Sequence, residues 1–240
     1  MTIAENILHV RETIAAACAR VQRDPAEVTL VAVSKTHPVS VILEAVAAGA
    51  QHFGENRVEE AMNKVPDANR QSPLPLTWHM IGHVQSRKAR DVPPLFQVVH
   101  SIDSLKLAEK FSRLMSEQGG KLDILLEMNV SGEESKSGIA AMNWSSEPAV
   151  HDRVWQEVAQ ILNLPGLNVR GLMTMAPLVE NMELARPVFA SLAALRLALA
   201  ESFGVQMPDL SMGMTDDYPV AIEEGATMIR VGRAIFGQRQ

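Results

Sequence analysis

A chain of 240 residues with 47% apolar content can fill a sizeable core, in one large domain or two small ones. Acidic groups outnumber basic ones by 28 to 22, for a net charge of -6, which argues against general affinity for nucleic acid or an anionic membrane and leaves only local anion sites. One cysteine excludes an internal disulfide, and with neither a signal-type leader nor an apolar run long enough to span a bilayer, the expectation is a soluble cytoplasmic protein.

Thr2 and Glu5 have the spacing of a capping box, and Ile3, Ile7, Val10 and Ile14 recur at helical period, predicting an opening helix to about Arg23. Cys18 lies among its alanines as a small apolar residue. The β-branched run from Val28 reads as a strand covered on both faces that ends on Ser34 and Lys35, with Pro38 closing it. Val39 to Ala48 is helical and stopped by Gly49, and Gln51 to Gly54 is a short second strand delivering Glu55, Asn56 and Arg57. Helix follows to about Lys64, and the proline-rich and polar stretch from Pro66 to Pro75 predicts a loop. Leu76 to Gly82 is a third strand ending at His83, with a short helix through Ser86 to Arg90.

Gln97 to Ile102 predicts a fourth strand, with Asp103 as the cap of a helix to Gln118 that Gly119 and Gly120 end. Leu122 to Val130 is a fifth, followed by a polar loop from Ser131 to Gly138 and a helix from Val150 to Leu162. Leu167 to Met175 is a sixth, and a long helix from Met182 to Phe203 carries Pro187 either as a kink or as its true start. Asp209 to Ser211 is a seventh strand, Asp216 to Glu224 a helix, and Ala226 to Val231 an eighth strand. Eight strands alternating with helices, without a composition break, predict a single-domain α/β protein over residues 1–240: a closed (β/α)8 TIM barrel with an extra N-terminal helix.

Such barrels carry their sites at the carboxyl ends of the strands, with phosphate near the last two loops. Here those loops are Ser211 to Thr215 and Gly232 to Gly237, where small residues admit backbone N–H groups to an anion and Ser211 and Thr215 can add hydroxyls. Closure sets the eighth strand beside the first, so Lys35 opens into the same mouth, with Asn56 and Arg57 beyond it. A strand-end lysine is ordinarily a solvated residue; beside an anion cradle it suggests a phosphorylated aldehyde held as a Schiff base. Arg230 shares alternation parity with Met228 and can point inward, where it would hold a pyridine nitrogen unprotonated, or it can form a salt bridge at the rim.

In these stretches the chain resembles the pyridoxal phosphate homeostasis protein family, single-domain relatives of the alanine racemase N-terminal barrel. The likeness covers Val31 to Thr36, His52 to Asn56, Trp78 to Gly82, Ser131 to Gly138, Gly171 to Ala176, Leu210 to Thr215 and Ile229 to Gly237. It implies an internal aldimine between Lys35 and pyridoxal 5'-phosphate, Asn56 near the ring and Arg230 on the ring nitrogen. Around the phosphate it implies Ser211, Met212, Gly232 and Arg233. It also implies a cytosolic cofactor carrier or buffer without established catalysis, working as a monomer with transient contact to pyridoxal-phosphate-dependent enzymes. Arg87 departs from the asparagine expected there, and Lys136 is a candidate second lysine for cofactor transfer.

Weak amino-acid racemisation is the enzymatic alternative, and it needs a second acid/base opposite Lys35; Tyr218 is the one tyrosine. A Schiff-base aldolase is another, although its lysine usually stands on a later strand. His79 and His83 lack the common helical face of a zinc pair, and Gly232 to Gln238 has P-loop glycine spacing without the lysine and Ser/Thr.

Overall fold

In the computed structural model, which describes residues 1–177 and 179–237, the barrel closes through backbone pairing between the first and last strands. Its strands are β1 (Thr29–Val33), β2 (His52–Glu55), β3 (Thr77–Met80), β4 (Val98–Ile102), β5 (Leu122–Asn129), β7 (Leu167–Met173), β8 (Asp209–Ser211) and β9 (Met228–Val231). All pair in parallel, in the circular order β1-β2-β3-β4-β5-β7-β8-β9. A two-residue strand, β6 (Ile139–Ala140), pairs only with the end of β5. The last residue of the P-loop-like spacing, Gln238, lies outside the described residues, as does the end of the expected domain at Gln240.

Among the described residues, eight α-helices cover the barrel: α1 (Ile3–Arg20), α2 (Val39–Ala47), α3 (Val58–Gln71), α4 (Leu105–Gln118), α5 (Pro148–Leu162), α6 (Arg186–Phe203), α7 (Tyr218–Glu223) and α8 (Arg233–Phe236). The capping box predicted for α1 is present: Glu5 N donates to Thr2 Oγ1 and Thr2 N to the Glu5 carboxylate. Ile7, Val10, Ile14 and Cys18 form the buried stripe of α1, and none of the described helices is long and apolar enough to cross a membrane.

Two local expectations are corrected and one open alternative is decided. The stretch from Pro66 is not a loop, because α3 runs through it to Gln71. Val58, Ala61, Val65 and Ala68 keep one buried stripe across the proline, while Pro66 and Met62, whose carbonyl loses its partner, face solvent. Asp103 does not cap α4: Ser104 does, accepting from Leu107 N, while Asp103 pairs with His83 at 3.0 Å. Pro187 sits in the first turn of α6 and marks its start rather than a kink, after a 3-10 turn at Met182–Ala185.

The β7–β8 pairing depends on a close backbone approach. A Cβ built on Gly171 would lie 1.8 Å from the Asp209 carbonyl oxygen. Gly171→Ala should therefore cost about 3 kcal/mol of stability, read from the midpoint of a urea unfolding curve. A loss under about 1 kcal/mol, the size of an ordinary surface substitution, would show that the strands can part cheaply.

Candidate functional site

Alternation along β1 turns Val31, Val33 and Lys35 to the same side, and that side is the lumen. A Cβ on the neighbouring Gly54 would meet Val31 Cγ1 at 3.1 Å and Ile81 Cδ1 at 3.0 Å, inside the barrel. Lys35 lines a cavity of about 640 Å³ at the carboxyl ends of the strands, within the size range of cofactor sites. Asn56, Arg230, Gly232 and Arg233 line it too, and Thr215 comes from the loop after β8. The Asn56 Oδ1 atom is buried there and has no hydrogen-bond partner among the described residues. Its position depends on Gly82, where a Cβ would fall 2.3 Å from the Asn56 carbonyl oxygen.

Ser211 and Met212 are not part of this lining. Ser211 Oγ is turned into the lumen, 2.6 Å from Arg230 Nη1, so its hydroxyl is not presented to an anion at the mouth. Met212 is fully buried in the layer between barrel and helices, and its amide donates to the Met228 carbonyl. On the loop after β8 the cavity is instead lined by Met214, Thr215 and Asp216, and the Asp216 carboxylate pairs with the Arg233 guanidinium.

Directly behind Lys35, on the helix side of β1 and β2, lies a buried ionic cluster. Lys64 from α3 donates to the Ser34 carbonyl (3.0 Å), to Glu55 Oε1 (2.9 Å) and to Glu60 Oε1, and Ser34 Oγ donates to Glu55 Oε1 (2.7 Å). The same Glu60 oxygen accepts from Thr36 N at 2.5 Å. Thr36 has φ +68, a left-handed conformation that strains a β-branched residue, and these bonds hold the turn that follows Lys35. Burial raises the Glu55 pKa, opposed by Lys64.

Inside the lumen Arg230 is 5% exposed and donates to Ser211 Oγ and to the Thr174 carbonyl (2.9 Å). Among the described residues no carboxylate lies within ion-pairing distance of it, so the inward reading holds over the rim salt bridge. Burial lowers its pKa to about 10, with Asp217 and Glu127 opposing, so the guanidinium stays charged at neutral pH. Ser211 Oγ also meets His100, which meets His79, which meets His52. Burial holds His79 at about 3 and His100 well below its ordinary value, with neighbouring charge adding to both.

Tyr218 is buried against α1, where its side chain meets Thr13, away from the cavity. His83 is taken by Asp103, and no group of three or more metal-ligating side chains occurs among the described residues. Lys136 donates to the Met175 carbonyl (3.0 Å) and pairs with Glu133 (2.7 Å), and Arg87 bonds Gln85 on the exposed rim.

The family model for the alanine racemase N-terminal domain matches residues 9–240. The pyridoxal phosphate homeostasis protein of Pseudomonas aeruginosa is 43% identical over 238 residues, covering 99% of this chain and 96% of its own. That of Escherichia coli is 40% identical over 241 residues, covering 99% and 97%. The structure of PipY from Synechococcus elongatus with pyridoxal phosphate bound superposes with a TM-score of 0.82 at 36% identity, covering 98% of this chain and 100% of PipY. The chain belongs to the alanine racemase N-terminal domain family, among its pyridoxal phosphate homeostasis proteins.

In this family member, the lumen histidines and the ionic cluster behind Lys35 are the parts that motif reading missed. A signal existed for the first: His52, His79 and His100 stand on three neighbouring strands.

Two predictions follow from the buried charges. Lys64→Met leaves Glu55 and Glu60 facing each other without a cation and should cost about 3–5 kcal/mol of stability by chemical denaturation. A loss below about 1 kcal/mol would show that the cluster behaves as a solvated surface pair. Glu127, 3% exposed, is raised by burial and by Asp103 to about 7 from 4.5. The folded state binds this proton more tightly than the unfolded chain, so the stabilisation is complete below pH 4.5 and is lost as pH rises through 7. Glu127→Gln should remove about 3 kcal/mol of the stability lost between about pH 5 and about pH 8. An unchanged pH profile would place the carboxyl in contact with water.

Proposed function

We propose that this protein holds pyridoxal 5'-phosphate covalently through Lys35 and serves as a non-catalytic carrier or buffer of that cofactor, with residues 1–240 acting as one cofactor-holding domain. The observation that carries the reading is the opening of Lys35, Arg230 and the Gly232–Arg233 turn into one cavity of cofactor size. The names of the relatives and the cofactor in PipY support it.

When bound, pyridoxal phosphate supplies an aldehyde that condenses with a primary amine, forming a carbon–nitrogen double bond and releasing water. Lys35 is the amine in this reading, presented by β1 and steadied by the Thr36 turn. Arg230 would donate to the ring nitrogen and, keeping its own protons at neutral pH, would leave that nitrogen an acceptor. Asn56 Oδ1, buried without a partner at the same wall, fits a polar group at the ring edge. The turns at Thr215 and at Gly232 and Arg233 receive the phosphate, Arg233 adding charge from its place beside Asp216.

The weak racemase alternative gains nothing from Tyr218, which is packed on α1 and cannot serve the second face of the ligand. An Arg230 contact also leaves the ring a poor electron sink, which suits storage over carbanion chemistry. Release to pyridoxal-phosphate-dependent enzymes by transient contact, from a cytoplasmic monomer, belongs to the same proposal.

Borohydride reduction of cofactor-saturated protein followed by peptide mass mapping should find a pyridoxyl group on Lys35, and Lys35→Ala should abolish it. A saturated protein without modification at Lys35 overturns the site. Robust racemisation of alanine that disappears in Lys35→Ala would overturn the non-catalytic reading instead.

A further inference from the structure

The Arg230 guanidinium ends a run of hydrogen bonds that crosses the barrel lumen from β9 through β8, β4 and β3 to β2. Arg230 Nη1 lies 2.6 Å from Ser211 Oγ, and Ser211 Oγ 2.9 Å from His100 Nδ1. His100 Nε2 is 2.8 Å from His79 Nδ1, and His79 Nε2 is 3.0 Å from His52 Nδ1. Ser211, His100 and His79 are buried, and His52 is half-buried at the start of its strand.

The proton positions follow from the charged end. A guanidinium can only donate, so Ser211 Oγ accepts from Arg230. The Ser211 hydroxyl proton then has one acceptor among the described residues, His100 Nδ1. An imidazole that accepts at Nδ1 is neutral and carries its proton on Nε2, so His100 donates to His79 Nδ1. The same step makes His79 the donor to His52 Nδ1. Reversing a link sets two N–H groups against each other or strands a buried hydroxyl proton, either of which loses the net value of a hydrogen bond and adds a desolvation cost.

We propose that His52, His79 and His100 form a one-way hydrogen-bond chain that fixes Ser211, and through Ser211 the Arg230 guanidinium, so that all three histidines are positioning residues for the ring-nitrogen contact. That last clause rests on the cofactor reading above; the chain itself does not. The surroundings agree. His100 faces His79 and Arg230, His79 faces His52 and His100, and Arg230 faces Glu127 from β5 and Asp217 at the start of α7. Burial disfavours a second proton on His79 or His100, and a cation at His100 would oppose Arg230 directly.

Long-range proton–nitrogen correlation spectra of the cofactor-free, full-length protein test the chain without the cofactor. His52, His79 and His100 should appear as neutral Nε2–H tautomers, and His79 and His100 should not titrate between about pH 5 and about pH 9. A proton on Nδ1 of any of the three, or titration of His79 or His100 in that range, overturns the chain. The positioning role is read from solvent exchange of the Arg230 guanidinium protons in the same sample. His100→Leu should speed that exchange roughly tenfold or more, the loss expected when one bond to a charged group is no longer held. His100→Asn, which keeps an acceptor toward Ser211, should restore most of the protection; if His100→Leu does not fold, slower exchange in His100→Asn than in Ser211→Ala is the deciding comparison. Exchange unchanged in His100→Leu, or equally fast in His100→Asn and Ser211→Ala, overturns the positioning role. If these signatures appear and no Lys35 adduct forms, the chain stands and the cofactor reading falls.

Discussion

Pairing of β9 with β1, in the register that sets Val31 beside Arg230, is the constraint from which the candidate site follows. Side chains alternate with period two, so residues of one parity on two paired strands share the lumen. Lys35 lies four positions beyond Val31 on one strand and Arg230 directly opposite Val31 on the other. An amine at the mouth and a guanidinium deeper in the lumen are thereby aligned along one wall. A slip of one residue by either strand would turn the cation that strand carries toward the helices, where apolar packing has no place for it.

The same closure creates a cost. Barrels of this kind ordinarily fill their interior with layers of branched apolar side chains. Here Leu125, Met173 and Met228 form only a small apolar cluster, and a guanidinium, a serine and the imidazoles occupy the space beside it. Each buried polar atom must recover in hydrogen bonds what it loses in hydration. The Thr174 carbonyl and Ser211 Oγ do this for Arg230, and the histidines do it for one another. Outside the β1–β2 wall, the Lys64 cluster meets the same demand while holding a left-handed threonine. Of these two polar networks, the one outside the wall holds the segment that carries Lys35, through Thr36 N and the Ser34 carbonyl.

How much of this was legible in the chain depends on which interactions are local. The barrel, the capping box, the opening of Lys35 into the mouth, the possible inward parity of Arg230 and the glycine loops could be read, because period and turn chemistry are properties of neighbouring residues. Ser211 and Met212 could not, since a three-residue strand offers too little alternation to say which side faces in. Helix α3 passed through Pro66 because its buried stripe avoids the proline, which composition alone does not reveal. Ser104 and Asp103 are both capable caps, and His83, in the loop after strand β3, decides between them. The histidines were visible one at a time; their stacking at bonding distance depends on the register of three strands and on a contact across the lumen to β8.

The polar lumen also bears on why this family member is suited to holding a cofactor. A ring nitrogen facing a carboxylate would be protonated and would draw electrons from the imine, which is what catalysis on the adjacent carbon requires. In the proposed binding mode it would face Arg230 and remain an acceptor, and the two carboxyl groups that approach this guanidinium, Glu127 and Asp217, stand beside it without an ion pair among the described residues. Burial raises the pKa of both, that of Glu127 to about 7, beside a cation that stays charged. In that binding mode the arrangement would keep positive charge at the ring nitrogen. With the cofactor held as proposed, such a site would favour retention of a linked aldehyde over reaction at the neighbouring carbon, because its strongest fixed charge would oppose the electron withdrawal that such a reaction needs.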